Sequence, residues 1–542
     1  MKKIQWILFL VMGKLYADPL HNETAALSET QIRGFSSWAS NEDFQKTSQL
    51  LTQKHFNNAT AASGTMITLS VSGRYYFGSN IMVDPQNDDV TCIKITASHV
   101  TLDLRDYTLS STRVNGATGT IGIEVAANCS NVRIINGVIS GMHGIGIKTN
   151  TNVTNACIEN MLIDNCTLVG VTLAAGCNNF KMLDCLITRC DGSHVDAADG
   201  AVGLRVTTSK LVTIERCSFN VNEHATAGNA LGAYFTSCAG LSLKSCNACS
   251  NKAGTTGVVY GLRFDGATTN LFLEDCKANY NVSQNGAVYG ISIEGVTGSG
   301  QLRTCCTDSN TAVGADVHGM SFSAASNNFS IIDCRSCNNT TNENSYGFKL
   351  AAVQNLYFEN CFAAAQVTSG AQKNAYGFYS TGGTANTFER CIAFGNKAGS
   401  HAAAVGAGFY LTGNETFSNI ISSTSKANNG NTGTGYGIYL HSATKCTIKG
   451  NELIVNTGTA NGYGVKDAAT SSISYFSRNS AYGNGSLSGL IVNNYDVNVS
   501  PGDSSVHFPL VAGYFSDYSN LSKATSFDNI EFIEQANIEA LR

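Results

Sequence analysis

Proline is scarce in this sequence of 542 residues. The chain has only four prolines, and none of them lies between Val90 and Ser500. Proline lacks the backbone N–H that a strand ladder requires. Hundreds of residues therefore keep every backbone donor available for sheet pairing, although the same stretch is rich in Gly, Asn, Ser and Thr.

Charged residues are also few, at 13% of the chain, against about 25% in a typical globular domain. The formal net charge is -5. Because binding to phosphates requires a basic patch, we expect no nucleic-acid partner. Apolar residues reach 43% and aromatic residues 9%, so the chain can bury a large core and is not disordered.

The sequence has no run of about 20 apolar residues, so we expect no transmembrane helix. At the N-terminus, Lys2 and Lys3 precede a short apolar stretch that ends near Ala17. This pattern predicts a cleavable secretory signal over residues 1–17, with a buried N-terminal helix as the alternative. We therefore expect a secreted, periplasmic or cell-surface protein.

A repeat of about 29 residues dominates the rest of the chain. Its marker is an aromatic residue, Gly, and two apolar residues separated by one other, as in Tyr260-Gly261-Leu262-Arg263-Phe264. The marker glycines are Gly203, Gly232, Gly261, Gly290, Gly319, Gly347, Gly377, Gly408, Gly437 and Gly464. A near-constant period over ten units is the signature of a repeat architecture.

Apolar residues alternate with a period of two inside each unit, as in Leu262 and Phe264, which indicates strands with one buried face. The units are too short for crossover helices, so each unit must stack its strands on the same strands of the next unit. The expected fold is all-β, a parallel β-solenoid. Asn-rich turns suit it because Asn tolerates left-handed backbone and its amide can bond along the stack.

These repeats resemble the right-handed parallel β-helix superfamily of pectate lyases, polygalacturonases, pertactin-like adhesins and phage tailspikes. The segments Ser72–Phe77 and Val100–Leu104 are also similar to the first coils of bacterial β-helix-repeat proteins. The resemblance implies a pectate-lyase-like fold. It does not imply one activity, because the same solenoid carries enzymes, adhesins and structural spikes.

We expect four segments along the chain. After the signal at 1–17, residues 18–64 have roughly helical apolar spacing and predict an N-terminal helical cap, since an open solenoid end needs cover. The β-helix itself should span 65–500. Residues 501–542 should form a C-terminal cap or tail.

Eight of the 19 cysteines recur with the repeat period: Cys185, Cys217, Cys246, Cys276, Cys305, Cys334, Cys361 and Cys391. We expect one column of buried thiols inside the solenoid, because free Cys packs as a small hydrophobe. Zinc binding is disfavoured, since the CxxC pairs lack His partners. Their redox state is left open.

Acidic and imidazole side chains cluster in the long unit between Gly170 and Gly203. Extra length in one coil is where a solenoid can build a site on a loop. Paired carboxylates there could cleave a glycosidic bond or hold calcium, and a solvated polar turn is the alternative. The candidates for catalysis are Asp191, His194, Asp196 and Asp199, with Glu223 and His224 one coil later.

An outward-facing column is the candidate for ligand binding. The residue two positions after each marker glycine has outward parity, which places Tyr379, Tyr410 and Tyr439 in one ladder between Lys349 and Lys466. Exposed rings on a rigid sheet suit stacking against sugar rings, and the lysines suit acidic groups. The alternative is that Tyr is a good strand former on a half-exposed sheet.

His143-Gly144 resembles part of a polygalacturonase motif, but the paired Asp and Arg-Ile-Lys of that family do not follow it, and Asp88-Asp89 lies upstream in the wrong order. We therefore favour an exported protein that binds polysaccharide or host-surface glycans without catalysis. A polysaccharide lyase or glycoside hydrolase is the first alternative, and a structural spike or envelope component is the second. No cofactor is expected unless the acidic cluster holds calcium.

Overall fold

A computed structural model describes ten stretches of the chain: 48–57, 64–84, 90–112, 119–192, 200–225, 227–323, 326–468, 474–482, 484–486 and 493–497. Its contacts divide the chain into residues 1–46 and 47–542, and every described residue belongs to the second unit. The predicted signal at 1–17 and the predicted C-terminal segment 501–542 lie outside the described residues.

The described chain is a stack of parallel strands. Each strand pairs with the strand one turn further along, in parallel register and without an intervening helix. One short helix occurs among the described residues, at Gln53–Asn57. The predicted all-β, right-handed parallel β-helix is therefore confirmed. No helix in the described stretches is long and apolar enough to cross a membrane.

The strands of the described residues form five sheets. Sheet 1 has 16 strands: Thr65–Leu69, Thr91–Ile95, Ile121–Val125, Ile145–Thr149, Val169–Leu173, Ala201–Thr207, Ala230–Thr236, Val259–Asp265, Val288–Glu294, Val317–Ser323, Ser345–Ala351, Ala375–Thr381, Val405–Thr412, Thr434–Leu440, Asn461–Asp467 and Asn493–Val497. Sheet 2 has 20: Ser48–Leu51, Gly73–Phe77, Ile81–Val83, Val100–Asp103, Thr108–Ser111, Arg133–Ser140, Cys157–Asp164, Asn178–Leu183, Leu186–Thr188, Lys210–Glu215, Ser218–Asn220, Ala239–Lys244, Thr269–Glu274, Gly300–Arg303, Phe329–Ile332, Tyr357–Glu359, Thr387–Glu389, Asn419–Ile421, Thr447–Lys449 and Tyr475–Ser477.

The other three sheets are smaller. Sheet 3 has seven strands: Cys306–Asp308, Arg335–Cys337, Phe362–Ala364, Ile392–Phe394, Thr424–Lys426, Glu452–Ile454 and Ser480–Tyr482. Sheet 4 has six: Glu223–His224, Lys252–Ala253, Val282–Ser283, Thr311–Ala312, Thr340–Thr341 and Val367–Thr368. Sheet 5 pairs Thr457–Gly458 with Gly485–Ser486.

The stack begins earlier in the chain than the predicted residue 65. Within the segment predicted as a helical cap, Ser48–Leu51 is a strand that pairs with Gly73–Phe77. Leu51, one of the apolar residues whose spacing predicted a helix, is therefore a buried residue of a strand. At the other end, Asn493–Val497 pairs with sheet 1, so strands continue nearly to the predicted limit of 500.

The marker glycines are required by the contact between coils. A Cβ added at Gly347 would lie 2.6 Å from the carbonyl oxygen of Gly377, the marker of the next coil. The same contact, at 2.4 to 2.8 Å, recurs at every marker from Gly203 to Gly437, and also at Gly122, Gly146 and Gly170 earlier in the chain. Only glycine permits this approach of two backbones, which explains why the repeat keeps it.

Like side chains stack on like side chains inside the solenoid. The Phe348, Phe378 and Phe409 rings are buried and stacked, with centroids 4.9 and 4.8 Å apart. A buried amide ladder runs beside them, in which the Nδ2 of Asn251 donates to Oδ1 of Asn281 at 3.0 Å. The ladder contains Asn222, Asn251, Asn281, Asn310, Asn339, Gln366, Asn396, Asn428, Asn456 and Asn484. The buried polar column is satisfied because each side-chain amide donates to the next, except at Gln366, where the backbone N–H donates to Oδ1 of Asn396.

The predicted cysteine column is confirmed. All eight thiols are buried, and backbone hydrogen bonds hold Cys217, Cys246, Cys276 and Cys305 in adjacent coils. The residue before each of the eight has a φ of 51 to 54°, which turns the chain at the end of the sheet 2 strand. This left-handed position explains the Asp, Asn and other polar residues that precede the cysteines.

We expect the native protein to expose about one reactive thiol to an aromatic disulfide reagent. Of the 19 cysteines, only Cys249 is not fully buried. Burial also raises the pKa of the Cys92 thiol to about 12, and the thiolate is the reactive form. Thiol titration before and after denaturation measures this. In the native Cys249→Ser variant, essentially no thiol should react rapidly with the reagent. Rapid reaction of several thiols in the native wild type would contradict the buried column.

The left-handed corners also predict a stabilising substitution. Val455 has a φ of 50° and is 44% exposed, and a left-handed residue with a side chain costs about 1 to 2 kcal/mol. Asn tolerates this conformation, so Val455→Asn should raise the free energy of unfolding by about 1 kcal/mol in urea denaturation. Val367→Asn, in a regular strand, should instead lower the free energy of unfolding. Equal effects of the two substitutions would show that the left-handed backbone at Val455 is not strained.

Candidate functional site

The outward column predicted on sheet 1 is present in the expected register. Lys349 pairs with Tyr379, Tyr379 with Tyr410, Tyr410 with Tyr439, and Tyr439 with Lys466. We call these five residues the outer column. Phe378 and Phe409, which precede two of its tyrosines, are buried in the core.

The three tyrosines are less exposed than rings that stand free on an outer sheet face. Tyr379, Tyr410 and Tyr439 are each half-buried, and they pack against the buried rings of Tyr376 and Tyr436. Tyr379 and Tyr410 are stacked on each other at 5.5 Å and 13°, while Tyr439 stacks on Tyr436 at 4.3 Å. Much of each ring face is therefore covered by another ring.

A second column of rings lies beside the outer column and was not predicted. It consists of the residue before each marker glycine, and we call it the aromatic ladder: Tyr260, Tyr289, His318, Tyr346, Tyr376, Tyr436 and Tyr463, with Ala407 in the gap. Between Tyr260 and Tyr376 the neighbouring ring centroids are 4.5 to 5.4 Å apart and nearly parallel.

The marker glycine places this ladder on the outside. Strict alternation from Phe378 would turn Tyr376 inward, but a Cβ on Gly377 would meet Ala393 and Asn396, which are buried in the solenoid. Gly377 and Phe378 therefore both face inward, and Tyr376 packs on the outer side with Tyr379. The sequence did carry a signal for this ladder, namely a glycine that recurs inside strands. Such a glycine marks a break in the strand's alternation or a close approach of two backbones.

Cations lie over the ladder rings. The Nζ atoms of Lys349 and Lys466 are 4.7 and 4.5 Å from the ring centroids of Tyr346 and Tyr463. Arg263 lies 4.6 Å from the centroid of Tyr260. Such cation–π contacts fix a positive charge at the protein surface beside each ring.

The basic side chains of sheet 1 differ in whether a carboxylate lies close to them. Arg263 is ion-paired with Asp265 at 3.1 Å and with Glu294 at 3.4 Å. No carboxylate in the described part of the chain lies within 4 Å of the Lys349 ammonium, although Asp316 partly offsets the lowering of its pKa by burial. The group around Arg263, with one cation and two carboxylates, is therefore net negative, whereas Lys349 has no carboxylate this close among the described residues.

His318 is the one ladder ring that is not a tyrosine. It is 2% exposed and stacked between Tyr289 and Tyr346, and its Nδ1 has no hydrogen-bond partner among the described residues. Burial, with a smaller contribution from Lys349, lowers the pKa of His318 well below its usual value. The imidazole is therefore neutral at pH 7.

The predicted catalytic cluster is only partly within the described chain, since His194, Asp196 and Asp199 lie outside it. Of the other members, Asp191 and Glu223 lie at paired positions in adjacent coils. The Glu223 carboxylate is 2.6 Å from the Lys252 ammonium. His224 is buried, and its Nδ1 accepts a hydrogen bond from the Gly228 amide. A catalytic role for this cluster stays a prediction.

Metal binding has no support in the parts of the chain that the structure describes. No group of three or more His, Cys, Asp or Glu side chains there is arranged to hold an ion. In the cysteine column the thiols instead donate to backbone carbonyls, as Cys246 does to Ile214 and Lys244 at 3.5 and 3.4 Å. The column therefore packs and hydrogen-bonds as part of the core.

His318 predicts a pH dependence of stability. Its folded pKa lies below the unfolded value of about 6.5, so as the pH falls below about 6.5 the unfolded state gains a proton that the folded state does not. Stability should then fall by up to about 1.4 kcal/mol per pH unit. The groups that face His318 are Tyr289 and Tyr346, whose phenol pKa values burial raises, and Lys349, whose ammonium pKa burial lowers.

The shift in thermal midpoint between pH 7.5 and 5.5 measures this effect. His318→Phe keeps a stacked ring and should reduce the shift, whereas His55→Phe, at an exposed histidine, should leave it as in the wild type. An equal pH shift in wild type and His318→Phe would show that this imidazole is not held neutral.

No family model matches the chain, and no curated protein matches it in sequence. The structure is similar to a periplasmic alginate epimerase, AlgG, at 9% identity and a TM-score of 0.34, covering 74% of this chain and 84% of that one. It is similar to pectate lyase Pel9A at 10% identity and a TM-score of 0.35, covering 60% and 77%. A tailspike mutant of E. coli bacteriophage HK620, in complex with a pentasaccharide, is 12% identical with a TM-score of 0.38, covering 79% and 74%. Similarity at this level carries no argument about this chain, and the chain's own strand pairing shows that its described residues form a parallel β-solenoid.

Proposed function

We propose that this chain is an exported β-helix protein that binds a polysaccharide or cell-surface glycan, without catalysis, through the outer face of sheet 1. The observation that supports this most is the register of the outer column. Tyr379, Tyr410 and Tyr439 repeat the same polar and aromatic group at each coil, between Lys349 and Lys466. A rigid repeating surface suits a ligand that itself repeats.

Multivalency supports a polymer over a small sugar. Strands in a sheet lie about 4.8 Å apart, so neighbouring units of one polymer chain can contact neighbouring coils. Each contact after the first is intramolecular, and the affinity therefore rises with chain length. A long glycan should bind better than a short one of the same composition.

The absence of catalysis in this proposal rests on the acidic candidates. Glu223 is neutralised by Lys252, and the imidazole of His224 is buried. Neither residue lies on sheet 1, where the outer column is. Release of reducing ends or unsaturated products from a polysaccharide panel would favour the enzyme alternative instead.

Replacing Tyr379, Tyr410 and Tyr439 together by Ala should abolish retention on a polysaccharide that holds the wild type. Because the rings are half-buried and stacked, the variant should also lose stability, by about 1 kcal/mol or more per ring. Affinity electrophoresis measures binding, and thermal unfolding verifies that the variant is folded at the assay temperature.

Tyr280→Ala is the matched control, because Tyr280 is 58% exposed and lies outside sheet 1. Its binding should equal that of the wild type. If the triple variant unfolds, the Tyr379→Ala and Tyr410→Ala single variants replace it. Unchanged retention of a folded triple variant on every glycan would refute this binding face and favour a structural role.

A further inference from the structure

Among the described residues, only one strand exposes two large apolar side chains, and it belongs to sheet 3. Ile392 and Phe394 are 41% and 43% exposed, and Ala393 between them is buried, so both side chains point outward. Phe362, which pairs with Ile392 from the preceding coil, is half-buried. We call Phe362, Ile392 and Phe394 the apolar patch. Contiguous exposed apolar side chains mark interaction sites, whereas single ones need no explanation.

The charges of sheet 3 sum to zero. Its seven strands contain two basic residues, Arg335 and Lys426, and two acidic residues, Asp308 and Glu452. Arg335 is ion-paired with Asp308, and the Arg335 side chain nevertheless remains 55% exposed. A surface without net charge does not select a polyanion or an anionic membrane. It suits a partner that is apolar at its centre and carries charges of both signs.

The charged residues that border the apolar patch also balance. Arg390, at the corner before Ile392, is ion-paired with Glu359 and Glu389 of sheet 2. That group has one cation and two carboxylates. Lys397, at the corner after Phe394, adds the fourth charge and is exposed. The surroundings of the patch therefore favour neither an anionic nor a cationic partner.

Opposite charges lie at equal distances on either side of Ile392. The outward column of sheet 3 contains, in register, Arg335, Phe362, Ile392, Thr424 and Glu452. Arg335 lies two strands before Ile392 and Glu452 two strands after it, each about 10 Å away. Both side chains are exposed. A two-fold axis along the Ile392 strand would therefore bring Arg335 of each copy opposite Glu452 of the other, around an apolar centre.

We propose that this face of sheet 3 binds a second copy of the chain, with the two solenoids antiparallel and the two sheets face to face. A two-fold contact of this kind uses one surface twice, so that surface must be complementary to itself. An apolar centre with opposite charges at equal distances meets this requirement, and the charges fix the register of the two copies. The inference goes beyond the proposed function, which concerns sheet 1.

The first measurement is the oligomeric state of the full chain against concentration. The strands of sheet 3 are each three residues long, so the contact is smaller than a standard interface of about 800 Å² per partner. We therefore expect a weak dimer, with a Kd of roughly 10 µM. Sedimentation velocity from about 1 to about 200 µM should show the mean mass rising from that of a monomer towards that of a dimer.

A charge at the centre of the contact should disrupt it. Ile392→Asp brings two like charges together where Ile392 of one copy meets Ile392 of the other, so the Kd should rise by about tenfold or more. Leu186→Asp is the matched control, because Leu186 is also 41% exposed and also lies in a strand, many coils before the apolar patch. Its Kd should equal that of the wild type. Thermal unfolding verifies that both variants are folded.

A complementary pair of variants tests the antiparallel register. Arg335→Glu alone and Glu452→Arg alone should each stay monomeric, because like charges then face each other at both ends of the contact. An equal mixture of the two variants should dimerise with nearly the wild-type Kd, since every carboxylate again faces a guanidinium. Arg335→Glu also loses its ion pair with Asp308. If that variant does not fold, Ile392→Asp and Glu452→Arg decide the question, and both should weaken the dimer.

A wild type that stays monomeric throughout this concentration range would overturn the proposal. So would self-association that Ile392→Asp leaves unchanged, or a mixture of the two folded charge variants that remains monomeric. Binding of a monomeric wild type to phosphatidylcholine vesicles, lost in Ile392→Asp, would instead make the apolar patch a membrane-docking surface and refute the dimer. None of these measurements involves a glycan, so their failure is distinct from failure of the proposed function.

Discussion

Contact between equivalent positions in successive coils is the constraint on which this structure depends. With strands about 4.8 Å apart, each side chain meets the side chain one repeat away in sequence, and each column must be compatible with itself. Glycine satisfies this where two backbones meet, since a Cβ at Gly347 would lie 2.6 Å from the next carbonyl oxygen. Asparagine satisfies it because its amide is both donor and acceptor, and Phe378 satisfies it by stacking.

The same constraint explains where the few charged side chains lie relative to one another. A column of like charges would repel along its length, so the charged residues alternate with partners from neighbouring coils. Arg216 pairs with Asp184 and Lys252 with Glu223, each pair joining two adjacent coils. Exposed pairs of this kind contribute little to stability, but they remove the repulsion that stacking would otherwise impose. On sheet 1, Lys349 has no carboxylate within 4 Å among the described residues, although Asp316 lies near enough to raise its pKa.

Self-stacking also limits what an aromatic surface can offer a ligand. A ladder of rings stabilises the sheet by covering ring faces, and the faces so covered are no longer available to a sugar. Tyr379 and Tyr410 are stacked on each other, and Tyr346 is stacked on both of its neighbours. The stacked rings leave uncovered only their edges, their hydroxyls and the cations that lie over them. The half-buried state of the outer column is part of the same arrangement, because its rings cover the ladder.

The sequence alone determined the solenoid, the repeat length and the register of two columns. Its period of about 29 residues placed Cys217 on Cys246 and Tyr379 on Tyr410, because a constant period leaves one way to stack the units. Tertiary structure decided the rest. The early strand at Ser48–Leu51 could not be read from apolar spacing, because its partner is a strand that follows in the chain. The aromatic ladder was missed because strict alternation assigns Tyr376 to the core, whereas the close approach of two glycine backbones breaks the alternation and turns that ring outward. Parity depends on local backbone geometry, and that geometry is fixed only when the next coil is in place.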